Sequence, residues 1–458
     1  MKRRTALELL GGGLVSASSL PAAAKRPNIL MIAVDDLNTD VGCYGHPIVL
    51  SPNIDRLARR GTRFHQAYAQ YPVCNPSRTS FLSGRYPEQT RILDNRTNPR
   101  TYLKDAAFLP AYLRQHGYFT AQVGKIFHSR MDSPEDWDVS LQPRGTAASF
   151  EGEGRNMSGG KFRWCRWAAS EAGEEDHADG RIAREVIRLL EQKRDQPFFI
   201  GAGFHKPHDP YIAPKKYFAP YPFERIPPVG GPPDDKADVP PAAYPSMAKT
   251  LKLGPQETRE YRRAYYACVS FLDAQVGKVL DALERLRLWD NTLVVFFGDH
   301  GLHLGEHAWW NKVTLFERGA RVPLIVAGQP VRDPGRACRR TVELLDIFPT
   351  LMEFAGLPAP GGLEGRSLLP LLRDAEAPWD KPAYTVVTRD GKLGRSLRTE
   401  RFRYTEWDEG RLGVELYDHD TDPREYYNRA KDPAYRPAMA ALKDKLHRLR
   451  ERLRSPSS

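Results

Sequence analysis

Asn28-Ile29-Leu30-Met31-Ile32-Ala33-Val34-Asp35-Asp36 is the stretch from which the fold is read. Six apolar residues in a row after Asn28 leave no polar face. That suits a strand covered on both sides, in the middle of a parallel sheet. Two carboxylates follow at the point where such a strand ends. Further along, residues 53–60 read as a helix, and strand 62–69 follows Gly61. Residues 107–116 give a helix stopped by Gly117, then strand 118–123. Residues 178–194 carry helical periodicity with Asp179 as the expected cap, and 197–204 form the next buried strand. A long helix over 256–288 precedes strand 293–297, and 322–327 adds another. Strands alternating with helices predict an α/β fold: a mostly parallel central sheet flanked by helices. Ligands of such sheets bind beyond the carboxyl ends of the strands. Asp35, Asp36, His205, Asp299 and His300 all follow predicted strand ends.

Beyond about residue 372 the pattern changes. Stretches 383–388, 394–398, 402–406 and 415–417 read as short strands, and a helix closes the chain. The expected organisation is a catalytic domain over 25–372 and a smaller antiparallel-sheet subdomain over 373–458. Residues 142–173 and the Pro- and Gly-rich 219–245 show no periodicity and read as loops.

The chain has 458 residues, 41% of them hydrophobic, which is ample for a large core. No apolar run approaches the ~20 residues that span a bilayer. The first 24 residues read as a leader. Lys2-Arg3-Arg4 is its basic start, small apolar residues follow, and Ala22-Ala23-Ala24 offers a cleavage site. The expectation is export to the periplasm or outside the cell, and Arg3-Arg4 permits a twin-arginine route as well as the general one. Five cysteines at irregular spacing argue against a disulfide framework, and with no Cys-x-x-Cys a zinc finger is not expected. The net charge of +11 suits an anionic substrate. No nucleic-acid-binding motif accompanies it, so nucleic acid is not the expected partner.

Residues 74–85 carry the chemistry: Cys74-Asn75-Pro76-Ser77-Arg78-Thr79-Ser80-Phe81-Leu82-Ser83-Gly84-Arg85. Ser77 can cap a helix start, whose first turn would hold Arg78 near Cys74. A helix N-terminus attracts anions. A small nucleophile, an arginine and a helix dipole suit attack on a sulfuryl or phosphoryl group. Asp35, Asp36 and Asp299 offer hard oxygens from two neighbouring strand ends, a set that favours calcium or magnesium.

Cys-x-Pro-Ser-Arg with Leu82 and Arg85 resembles the modification motif of type I sulfatases. The likeness extends through residues 34–45, 51–58, 61–87, 113–128, 204–211, 298–307 and 415–423, and within the family it is similar to the iduronate-2-sulfatase branch. The resemblance implies an alkaline-phosphatase-like core, oxidation of Cys74 to formylglycine by a formylglycine-generating enzyme, and calcium as the ion, with magnesium as the alternative. It implies a metal shell of Asp35, Asp36, Asp299, His300 and modified Cys74. His300 stands where many sulfatases carry asparagine, and imidazole is a poorer partner for a hard cation. Arg78, Lys125, His128, His205 and Lys312 are the residues expected to grip the sulfate and move protons. His205 is expected to protonate the departing sugar oxygen, His128 to help regenerate the aldehyde, and Asp299 to help deprotonate the attacking hydroxyl. Trp309 and Trp310 offer faces for a sugar ring or for the core. The implied reaction is hydrolysis of a sulfate monoester in a sulfated saccharide, with 2-O-sulfated uronic acid leading, through a covalent enzyme–sulfate ester. Two rivals stand beside it: a phosphatase or phosphodiesterase on the same scaffold, and a catalytically silent protein that binds anionic polysaccharide.

Overall fold

The structure is a computed structural model that describes residues 26–245 and 251–454. The expected leader lies outside the described residues. Eight strands form the main sheet: β1 (Asn28–Val34), β2 (Gly61–Tyr68), β3 (Phe119–Gly124), β4 (Val139–Leu141), β5 (Phe198–Phe204), β6 (Thr292–Gly298), β7 (Arg321–Ala327) and β8 (Ala337–Glu343). Their spatial order is β8-β2-β7-β6-β1-β5-β3-β4. Neighbours from β6 through β4 pair in parallel. β7 runs against both β2 and β6, while β8 pairs in parallel with β2.

β1 is buried from end to end, as its unbroken apolar run requires. Its side chains alternate between two cores. Leu30, Ile32 and Val34 pack with α1 (Pro52–Arg60), the Ala178–Lys193 helix and the Pro255–Arg285 helix. Ile29, Met31 and Ala33 pack on the other face with α2 (Cys74–Ser83) and α3 (Leu109–Gln115). In chain order the two long helices are α4 (Ala178–Lys193) and α5 (Pro255–Arg285). Strands Ala383–Arg389, Lys392–Arg398, Phe402–Trp407 and Val414–Asp418 make a separate antiparallel sheet. Its core takes in Leu442 and Leu446 of the closing helix α6 (Arg436–Arg454).

The region expected to be loop around 142–173 contributes two short strands. Glu153–Asn156 and Arg166–Ser170 form a three-stranded sheet with Tyr211–Pro214. Glu153-Gly154-Arg155 is exposed and has no apolar alternation, so nothing in its composition marks it as a strand. β8 was equally hidden, because Arg339 and Arg340 interrupt its pattern.

Candidate active site

Four parallel neighbours, β6, β1, β5 and β3, deliver chemistry at their carboxyl ends. β6 is followed by Asp299 and His300, and β1 by Asp35 and Asp36. β5 is followed by His205, and β3 by Lys125 with His128 close behind. β3 and β5 approach closely at this edge. Gly124 has φ of 81°, and a Cβ on it would strike the Gly203 carbonyl oxygen. A Cβ on Gly203 would in turn strike the Lys125 main chain, so both positions require glycine. Asp36 itself has φ of 60°, uncommon for a non-glycine residue, and its N–H donates to Asp299 Oδ1 at 3.0 Å.

α2 supplies Cys74 as its first residue, with Val73 at the N-cap. The helix thus begins three residues before Ser77. Ser77 is not the cap: its N–H donates to the Val73 carbonyl and its hydroxyl to the Asp299 carbonyl. Pro76 fits because a first-turn residue has no helical partner for its N–H. Arg78 lies one turn on, fully buried, with Nε donating to Asp299 Oδ2 at 2.9 Å and Nη2 to Asp35 Oδ1 at 3.3 Å. Its third nitrogen donates to the Lys125 and Ile126 carbonyls. Lys312 arrives from the hairpin of His303–Leu304 and Trp310–Asn311, where Asn311 and Val313 flank it with φ of 82° and 73°.

The cations and anions interlock. Lys125 Nζ lies 2.5 Å from Asp35 Oδ2, and Lys312 Nζ lies 2.6 Å from Asp36 Oδ1 and 3.4 Å from Cys74 Sγ. His300 Nε2 is 3.4 Å from the same sulfur and 3.2 Å from Asp36 Oδ1. Burial and Asp35 push the Cys74 thiol up, but Lys125, Lys312 and a contact from His128 outweigh them and hold it well below the ordinary range. Asp35 likewise stays well below its usual value: burial opposes ionisation, while Lys125, His208, Arg78 and Lys312 favour it. Cys74 therefore sits in the field that makes a thiol ionise and react.

The expected acid, His205, is buried in the field of Asp35 and Lys125 and is anchored through its main chain. Its N–H and that of Lys206 donate to the Asp179 carboxylate at 2.9 and 2.8 Å, and burial pulls its imidazole down to about 3. His208 reaches the acids instead, with Nε2 3.9 Å from Asp35 Oδ2 and 3.9 Å from Asp36 Oδ2. Burial opposes its charge, but Asp36 and Asp35 raise its pKa to about 10. The sequence offered one hint, the second histidine of His205-Lys206-Pro207-His208. Nothing in the residue order says which ring turns inward. Asp179 is likewise not a cap. His177 occupies that position, and Asp179 spends both oxygens on the loop after β5. Trp309 and Trp310 are both buried, against Tyr244 and Tyr261, so neither presents a face to a sugar.

The donor set fits a divalent cation. One ligand atom each from Asp35, Cys74, Asp299 and His300 lies within 4.8 Å of the others, and Asp35, Asp36, Cys74 and His208 form a second such group. Asp36 Oδ2 is buried with no hydrogen-bond partner, an expensive state that a cation relieves. His300 Nδ1 faces the Gly301 carbonyl at 2.9 Å, which fixes a proton there and turns Nε2 toward the acids. Carboxylate oxygens favour calcium or magnesium.

Acids, lysines and an activated side chain at a helix start, all on the carboxyl edge of an α/β sheet, define a hydrolase of sulfuryl or phosphoryl esters. Comparison with known proteins narrows this. The Sulfatase family matches residues 27–357, and the N-sulphoglucosamine sulphohydrolase C-terminal family matches 305–452. Iduronate 2-sulfatase of Mus musculus is 33% identical over 94% of this chain and 95% of its own. A solved 2-O GAG sulfatase superposes with a TM-score of 0.76 at 26% identity, covering 94% of this chain and 93% of its own. A phosphonate monoester hydrolase of Agrobacterium radiobacter reaches 0.79 at 24% identity, covering 94% of this chain and 97% of its own, which shows a shared fold alone. The chain belongs to the sulfatase family, as a type I sulfatase of the alkaline phosphatase superfamily. It is a hydrolase of sulfate esters.

Proposed function

We propose that the chain removes the 2-O-sulfate of a uronic acid in a sulfated glycan, with Cys74 converted to formylglycine and calcium held by Asp35, Asp36, Asp299 and His300. The observation that carries the substrate reading is the 33% identity to iduronate 2-sulfatase across 94% of the chain. When present, the cation polarises the sulfuryl oxygens, and the hydrated formylglycine supplies the nucleophilic oxygen.

The chain's own residues do the rest. Arg78 spends its planar fork on Asp35 and Asp299, so it orients the carboxylates. Lys125 and Lys312 put two ammonium groups beside residue 74, where charge spreads over sulfate oxygens during cleavage. His208 keeps a proton at Nε2 and passes it to the departing sugar oxygen. His128 faces residue 74 with a buried, unpaired Nδ1 and accepts a proton when the aldehyde is restored. We extend the reading to an exported protein whose leader is cut near Ala24, with a formylglycine-generating enzyme as transient partner.

Purified, modified protein assayed on defined sulfated disaccharides tests the substrate. Release of 2-O-sulfate from a uronate is the expected result. Turnover only of sulfate at another position, or only on a non-sugar, rejects the uronate.

A further inference from the structure

A cavity of about 380 Å³ shares a wall with the catalytic cluster. The size lies within the roughly 300–1,000 Å³ of ligand pockets. His208 lines it, the same ring whose Nε2 faces Asp35 and Asp36. Phe150 and Phe271 give it apolar surface, and Phe150 is 51% exposed, an aromatic ring left uncovered at the surface. Arg144 lines it too, exposed and without an ion pair among the described residues. Lys206 adds a second cation, its Nζ held by the carbonyls of His208 and Pro210 at 2.9 and 2.7 Å and not by a carboxylate.

Asp179, His205 and Asp209 line the cavity as well, and so does His177. It is 5% exposed, its ring lies edge-on to Phe271 at 5.2 Å, and its Nε2 has no partner in the protein. Burial, then the Lys206 ammonium, lower its pKa to about 4, so the ring is neutral at neutral pH. A neutral imidazole suits a hydroxyl, and an aromatic face suits the CH face of a ring.

We infer that this cavity receives the uronate ring that carries the sulfate ester, with Arg144 gripping its carboxylate and Phe150 packing against its apolar face. The inference rests on the substrate class proposed above. Arg144 decides it: Lys206 already lies in the field of Asp179 and Asp209, which line the same cavity, but a neutral or cationic alcohol leaves the Arg144 guanidinium without a counter-charge, whereas a uronate supplies one. Arg144 also offers the fork that matches a carboxylate.

The test compares kcat/KM on a 2-O-sulfated uronate disaccharide with kcat/KM on 4-nitrophenyl sulfate, for the wild type, Arg144→Ala, Arg144→Lys and Phe150→Ala. Both positions are exposed, so the substitutions leave the core alone. Losing one charge-assisted contact lowers the ratio of the two values about tenfold or more in Arg144→Ala. Arg144→Lys keeps part of it, and Phe150→Ala also lowers it. Equal changes on both substrates, or none on either, overturn the assignment while the substrate reading stands. A wild type that cleaves 4-nitrophenyl sulfate but no sulfated uronate overturns the substrate reading, and this inference with it.

Discussion

His208 and His205 leave the same strand end three residues apart, with opposite electrostatic fates. With the acids free of a cation, Asp36 and Asp35 raise the His208 pKa to about 10 against the pull of burial. Burial pulls His205 down to about 3, so at neutral pH its ring is uncharged and a poor acid. Replacing His208 by Ala should therefore lower kcat by about 10²–10⁴, the usual contribution of a general acid. His205→Ala should lower it far less. Steady-state kinetics on an ester with a poor leaving group checks both, since protonation matters most there. A larger loss at His205 contradicts the assignment. The sequence shows why the choice was hard at this scale. Cys74, Arg78, Asp35 and Asp36 announce themselves by local pattern, and Asp299 with His300 by a strand end. The rings of a loop reveal their direction only in three dimensions.

Elements hold these side chains through main-chain contacts that no side-chain pattern announces. Asp179, near the start of α4, accepts the N–H groups of His205 and Lys206, fixing the loop that carries His208. Asp179→Ala leaves two donors without their acceptor. It should destabilise the fold by roughly 1–3 kcal/mol and lower kcat about tenfold, read by thermal unfolding and kinetics together. Wild-type kcat in this variant shows that the loop is held by other means. In the C-terminal sheet, Glu415 is buried, accepting from Trp407 Nε1 at 2.6 Å and Tyr417 Oη at 2.8 Å. Burial raises its pKa from 4.5 to about 7. The folded protein thus binds this proton more tightly than the unfolded chain. The stability it contributes is complete below about pH 4.5 and is lost as pH rises through about 7. Glu415→Gln should remove that loss, raising the melting temperature relative to wild type at pH 8 more than at pH 5. An unchanged difference between the two pH values contradicts a buried, proton-holding Glu415. The four strands around it were legible from their apolar alternation. β8 and the short exposed strands were not, because charge or shortness erased the period.

Across the whole molecule, two cores sandwich one sheet, and chemistry gathers at a single edge of it. The continuous apolar runs of β1, β5 and β6 made that architecture readable, since parallel strands buried on both faces have no other composition. The reversed direction of β7 was not readable, because antiparallel and parallel buried strands look alike in sequence. The cluster of three carboxylates is held together partly by lysines and partly, on the proposed reading, by calcium. Chelation should lower the melting temperature, and calcium at about 100 times its Kd should restore about 2.7 kcal/mol. A melting temperature that ignores both treatments argues that Lys125, Lys312 and Arg78 alone neutralise the acids. The net charge of +11 also predicts that KM for a polyanionic substrate rises with salt, measurable between low and physiological ionic strength. The most direct test is a crystal structure of active protein, with anomalous scattering used to find the cation. The expected map has a divalent ion among Asp35, Asp36, Asp299 and His300, and an aldehyde or its hydrate at residue 74 facing it. An unmodified thiol at residue 74, with no ion among those acids, in a preparation that still releases sulfate contradicts it.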